Sequence, residues 1–197
     1  QYPWMKEKFG LVHTPYWGME HQTINAYGNN YKKTKLGYDF ILFHEMGHEW
    51  WGNYLSVSDW SDFWIHEGFD TYAEAMYVEK TFGKSALKGF IKTRLKQNIK
   101  NEYPIVPLKN GTTNQKSGTD IYYKAAYVLH TLRYLISDEV FTSSLKEFLS
   151  MPKERPNNQT STEEFISLIN ENTDKNHTWF FNHYLYNSHI PALNIKE

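Results

Sequence analysis

Apolar positions along the chain form long runs at three- and four-residue spacing, broken by short polar, glycine- and proline-bearing stretches. Period-two alternation is confined to short segments near the N-terminus. Phe40, Ile41, Phe43, Met46, Gly47, Trp50 and Trp51 mix the two helical spacings, as in a mostly buried helix. With Asp39 as N-cap or first-turn acid and Gly52-Asn53 as a stop, this run predicts a helix over 39–51. A second run predicts a helix over 62–82, capped by Ser61 or Asp62 and stopped by Gly83. Further helices are expected at 84–99, 119–136, 138–150, 161–172 and 177–187. Short strands are expected at 10–13 and 23–27, with another near 55–57. The stretches 101–118 and 151–160 read as loops. The pattern is that of an α+β chain, mostly α, with a small N-terminal β portion and a helical main part.

Inside the first helix lies His44-Glu45-Met46-Gly47-His48. Residues four apart share a helix face, with Cβ atoms roughly 5–6 Å apart. Two imidazoles so placed can close on one zinc ion, while the glutamate beside the first stays off the metal as a general base. Shuffling the composition yields this pattern about three times in a hundred, so a pair of core histidines is a real alternative. A catalytic zinc takes three protein ligands and keeps one position open. Glu67 follows His48 with eighteen residues between and sits early in the next helix, which can return it to the histidine pair. Requiring it lowers the chance figure to about two in a thousand. Glu49 lies roughly 100° around the helix from His48 and reads as a structural or solvated acid. Glu74, seven residues beyond Glu67 on the same face, reads equally as an acceptor for a ligand histidine's free N–H or as a partly exposed helix acid.

These residues sit within a wider resemblance. Asp62-Phe63-Trp64-Ile65-His66-Glu67-Gly68-Phe69 resembles the Asp-x-Trp-Leu-Asn-Glu-Gly-Phe phrase of the aminopeptidase N family of gluzincins, which includes the leukotriene-converting hydrolase. Gly18-Met19-Glu20-His21 resembles that family's Gly-Ala-Met-Glu-Asn motif, and Tyr122-Tyr123-Lys124-Ala125-Ala126 its Tyr-x-Lys-Gly-Ala. The chain departs from the family at Trp17, His21, His66 and Ala125.

The resemblance implies a thermolysin-like zincin catalytic domain with one zinc held by His44, His48 and Glu67. It implies Glu45 as the base and Tyr122 as hydrogen-bond donor to the tetrahedral oxyanion. Taken alone, Tyr122 is one of 15 tyrosines, although its place before Lys124 in the first turn of a helix favours the catalytic role. The resemblance also implies that Glu20 binds the substrate's free α-ammonium, and that Gly18, Met19 and the strand at 23–27 offer backbone hydrogen bonds to a peptide. Alone, Glu20 reads as an ordinary loop carboxylate. The implied activity is hydrolysis of the first peptide bond of peptides with a free N-terminus. Epoxide hydrolysis at the same zinc, and a catalytically silent scaffold, are the alternatives.

Composition narrows the rest. The 197 residues suffice for one domain with a real core, since 40% are apolar. The net charge of −1 gives no sign of nucleic-acid or anionic-membrane binding. Cysteine is absent, which removes disulfides and thiol catalysis and leaves the compartment unspecified. No apolar run is long enough for a membrane span, and no signal peptide is visible. Aromatics make up 17%, with Trp50, Trp51, Trp60 and Trp64 near the expected site. Family members carry a large β-domain before this region and further domains after it, so residues 1–197 read as the catalytic domain alone, closing near Ile190-Pro191-Ala192-Leu193.

Overall fold

A computed structural model describes residues 3–189 apart from 5, 108, 113–117 and 152–157. The closing segment 190–193 singled out above, and parts of both long loops, lie outside the described residues. Three short strands come first: β1 (Gly10–His13), β2 (Gly18–Met19) and β3 (Ile24–Tyr27). β3 is central, parallel to β1 and antiparallel to β2, with Gly18 opposite Tyr27 and Met19 opposite Ala26. The chain then turns helical: α1 (Phe40–Gly47), α2 (Trp64–Phe82), α3 (Lys84–Phe90), α4 (Tyr123–Ile136), α5 (Asp138–Ser150), α6 (Thr162–Thr173) and α7 (Thr178–Tyr184). A second small sheet pairs β4 (Ser56–Val57) with β5 (Gln159–Thr160) in parallel. The mostly helical architecture with a small β portion is the one predicted.

Helix α2 is the central element. Its Trp64, Ile65, Phe69, Tyr72, Ala75 and Val78 are buried among residues of α4, α5, α6 and α7, including Leu129, Phe141, Phe165 and Phe181. Phe69 packs against Trp64, Phe148 and Phe165 at ring separations of 5.0–5.8 Å. Aromatic side chains of this size dominate core energetics. The start of α2 is also tied to α6: Trp64 Nε1 donates to Thr162 Oγ1 at 2.7 Å, and the Thr162 hydroxyl donates to Asp62 Oδ1 at 2.5 Å.

Three boundaries differ from the expected ones. α1 ends at Gly47, not residue 51, because its regular ladder breaks: Glu49 N and Trp50 N bond carbonyls three residues back, and then Asn53 N, Tyr54 N and Leu55 N bond the carbonyls of His48, Glu49 and Trp50, five residues back. The helix expected at 84–99 is α3 followed by a wide π turn over Ile91–Leu95 and a 3₁₀ turn over Lys96–Asn98. The entry to α2 is a 3₁₀ turn over Trp60–Asp62 whose cap is Asp59, not Ser61 or Asp62.

Among the described residues, four donors meet the Asp59 carboxylate. It accepts from Ser61 N at 2.9 Å and Ser61 Oγ at 2.8 Å, and from Asn110 N at 2.6 Å and Gly111 N at 2.8 Å. These donors, Ser61 N first, lower its pKa to about 2.

Two side chains fasten the N-terminal sheet to α1 and to the turn that follows it. Asn25 Nδ2 donates to Glu45 O at 2.7 Å, and Glu49 Oε1 accepts from Thr23 N at 2.7 Å. Glu49 is therefore structural and fully buried, not solvated. It steadies Thr23 at φ 63°, a left-handed conformation that β-branched residues rarely adopt.

Because the Asp59 pKa is depressed in the folded state, its contribution is present above the unfolded value of 3.8 and is lost as pH falls towards about 2. Asp59→Asn should be less stable at neutral pH, and should lose less stability than the unmutated chain between about pH 4 and pH 2. Urea unfolding at several pH values checks this.

Candidate metal centre

His44 and His48 stand one helical turn apart on α1, with ring centroids 4.6 Å apart. Glu67 reaches them from the first turn of α2, which packs across α1. The three donor atoms form a nearly equilateral triangle. His44 Nε2 and His48 Nε2 are 3.3 Å apart, and Glu67 Oε2 lies 3.3 Å from the first and 3.4 Å from the second. Donors about 2.0–2.1 Å from a tetrahedral zinc stand roughly 3.3–3.4 Å from one another, so the triangle has the dimensions of one face of that tetrahedron. Glu67 Oε2 is buried without a hydrogen bond of ordinary geometry, as an atom reserved for a cation would be.

The outer ring nitrogens fix the tautomers. His48 Nδ1 lies 2.8 Å from Trp51 O, and His44 Nδ1 lies 2.6 Å from Asp70 Oδ2. With one proton on each ring, held at those outer nitrogens, both Nε2 lone pairs would face the centre. The electrostatics also favour positive charge at this point. Burial pulls the His48 imidazole down, but Glu67 and Asp70 outweigh it and push it up to about 9. Burial alone would raise Glu67, yet the two histidines hold it well below the carboxylate range. The residues therefore fit zinc in number, spacing, donor type and charge.

Glu45 is buried beside this triangle and belongs to α1 itself. Burial raises its pKa to about 7, against the lowering pull of His44 and His48. Gly18 of β2 lies directly over it: a Cβ on Gly18 would stand 2.1 Å from Glu45 Oε1. Only glycine lets the strand come this close. Glu20 follows two residues on, and carboxylate oxygens of Glu20 and Glu45 lie with a His48 ring nitrogen inside a 4.8 Å cluster. Met19 is exposed on the outer strand of the sheet.

Tyr122 precedes the first residue of α4, with its ring 6.1 Å from that of His44. Burial, and then the nearby Glu67 carboxylate, push its phenol well above the usual value, so it remains a proton donor. The approach depends on small residues where α2 crosses α4. A Cβ on Gly68 would come within 2.5 Å of Ala125 Cβ and 3.0 Å of Ile121 O. Lys124 points elsewhere, donating to Asn187 O at 3.1 Å.

One reading is corrected here. Glu74 does not meet a histidine; its Oε1 accepts from Tyr38 OH at 2.6 Å. Asp70, not singled out in the sequence, is the acid beside a histidine of the pair: its Oδ2 lies 2.6 Å from His44 Nδ1. It lies one turn after Glu67 on the same helix, and that i+3 spacing was the available signal. His66 is buried and neutral, its pKa lowered to about 4 by burial and then by His48. Its ring packs on Phe63 at 4.8 Å.

Residues 15–184 match the Peptidase family M1 domain. Endoplasmic reticulum aminopeptidase 2 of Bos taurus is 28% identical over 122 residues, which cover 58% of this chain and 13% of that protein. Aminopeptidase N of Rattus norvegicus is 26% identical over 120 residues, or 55% of this chain and 12% of that protein. Among solved structures, an M1 zinc metallopeptidase variant from Deinococcus radiodurans bound to Tyr-Ser-Ala superposes with a TM-score of 0.71 at 21% identity, covering 94% of this chain and 40% of that one. Aminopeptidase A of Legionella pneumophila, in complex with aspartic acid, gives 0.69 at 20% identity, covering 90% and 21%. The structural likenesses establish the fold; the chain spans only a small part of the curated relatives.

Supplied with zinc, the chain should hold about one equivalent, retained in Glu45→Ala and weakened in Glu67→Ala. Metal analysis after dialysis reads this directly, and less than about a tenth of an equivalent in the unmutated chain would sink the metal assignment.

Proposed function

The chain belongs to peptidase family M1, and on that footing we propose that it is the catalytic domain of a zinc aminopeptidase, cleaving the first peptide bond of peptides with a free N-terminus. The observation that carries the proposal is the arrangement around one point: three donors at 3.3–3.4 Å, with Glu45, Glu20 and the Tyr122 hydroxyl close beside them. Zinc, when bound, makes the attacking water more acidic and polarises the scissile carbonyl.

The residues of the chain do the rest. Glu45, with its pKa raised to about 7, takes the proton of the attacking water and delivers it to the leaving amine. A base poised near neutrality serves both transfers. Tyr122 donates its hydroxyl to the oxygen on which negative charge develops, a contribution of about 3–4 kcal/mol in comparable sites. Glu20 receives the α-ammonium of the substrate, and its fixed distance from the metal face limits cleavage to the first bond. β2 is the outer strand of its sheet, so Gly18 and Met19 are placed to hydrogen-bond an added peptide strand. The curated relatives extend well beyond the matched region, and we propose that further domains of a longer protein complete the amine end of the cleft.

Glu45→Gln should bind zinc normally and lose at least about 100-fold in turnover. Gly18→Ala should retain zinc yet lose on the order of 100-fold, because its methyl displaces Glu45. Glu20→Ala should lose chiefly the preference for a free N-terminus. These outcomes are read by hydrolysis of aminoacyl-arylamides and of matched free and N-acetylated peptides, using the full-length protein. Equal cleavage of the two peptides by the unmutated enzyme would overturn the role given to Glu20.

A further inference from the structure

The two histidines are held in different ways. His48 Nδ1 faces a backbone carbonyl, Trp51 O, which persists whatever side chain residue 51 carries. His44 is the more exposed of the pair, with its side chain 19% accessible against 1% for His48. Its Nδ1 faces a single side chain, Asp70 Oδ2, at 2.6 Å. Asp70 is fully buried, and among the described residues its only ionic contact is His44. A buried carboxylate with so few partners is costly, and a residue present for packing alone would not need the charge. Its second oxygen, Oδ1, lies where α1 passes closest: a Cβ on Gly47 would stand 1.6 Å from it. Glycine inside a helix sacrifices stability relative to alanine. Here it leaves the space that the carboxylate fills.

We propose that Gly47 and Asp70 form a complementary pair that orients His44 toward the metal, with Asp70 a positioning residue and Gly47 its permissive counterpart. Asp70 lies three residues after Glu67, so one turn of α2 carries both the third ligand and the group that aims the first. A side chain at residue 47 would meet the carboxylate end of Asp70, which must then shift from its place beside His44. Glu74, the other acid on this face, is engaged with Tyr38 and does not substitute.

The inference rests on the zinc reading, and the test separates the two. Zinc dissociation constants are measured by chelator competition for the unmutated chain, Asp70→Ala, Asp70→Asn, Gly47→Ala and the Gly47→Ala/Asp70→Ala double variant, with thermal unfolding of each metal-free chain. Asp70→Ala and Gly47→Ala should each weaken zinc about 10- to 100-fold, and Asp70→Asn, which keeps the shape, should act in the same direction by a smaller factor. The double variant should bind no worse than Asp70→Ala alone, because the methyl then has no carboxylate to displace. Losses that multiply in the double variant overturn the pairing. So does unchanged zinc affinity in Gly47→Ala or Asp70→Ala, even if metal-free stability falls. An unmutated chain that binds no zinc overturns the metal reading itself.

Discussion

Everything in this molecule depends on the crossing of α1 over the first turn of α2. The crossing brings two histidines and one glutamate together with donor atoms 3.3–3.4 Å apart, a crowding of polar groups that a protein interior would otherwise resist. What holds the crossing is largely apolar. α2 is anchored on its far side by Trp64, Phe69 and Tyr72 in the aromatic core, and its start is pinned to α6 through Thr162. The strain of assembling the site is thus carried by packing that lies away from it.

Close approach is the second theme. The strand over Glu45, the helix beside Asp70 and the crossing of α2 on α4 each come together at a glycine, namely Gly18, Gly47 and Gly68. Each removes a Cβ that would occupy the place of a side chain or backbone atom the site requires. The departure at Ala125, where the family carries glycine, is accommodated because Gly68 faces it from α2.

Much of this was legible in the sequence. Helical periodicity placed α1, α2, α4, α5 and α6, because long amphipathic runs encode their own spacing. The three candidate ligands could be picked out because a four-residue spacing on one helix and an acid at the start of the next are local facts about the chain. What escaped was non-local or irregular. Asp59 was missed as the cap because its donors include Asn110 and Gly111, some fifty residues on. The end of α1 was placed too late because the sequence around Trp51 looks helical, while the backbone widens to turn a carbonyl toward His48. The two-residue strands β2 and β5 are too short to carry a period. Asp70 was passed over for Glu74 because both lie on the appropriate face of α2, and only the depth of packing against Gly47 distinguishes them.

The N-terminal sheet has one further consequence. Met19 pairs with Ala26, Asn25 grips the backbone of α1 at Glu45, and Thr23 is clasped by Glu49, so the stretch from residue 18 to residue 25 works as a measured span between two fixed points. In a strand, a slip of one residue turns every side chain to the opposite face. Ordinary surface loops accept insertions and deletions readily. This one spans a fixed gap, so its composition is free to drift at exposed positions such as His21 and Gln22 while its length is not.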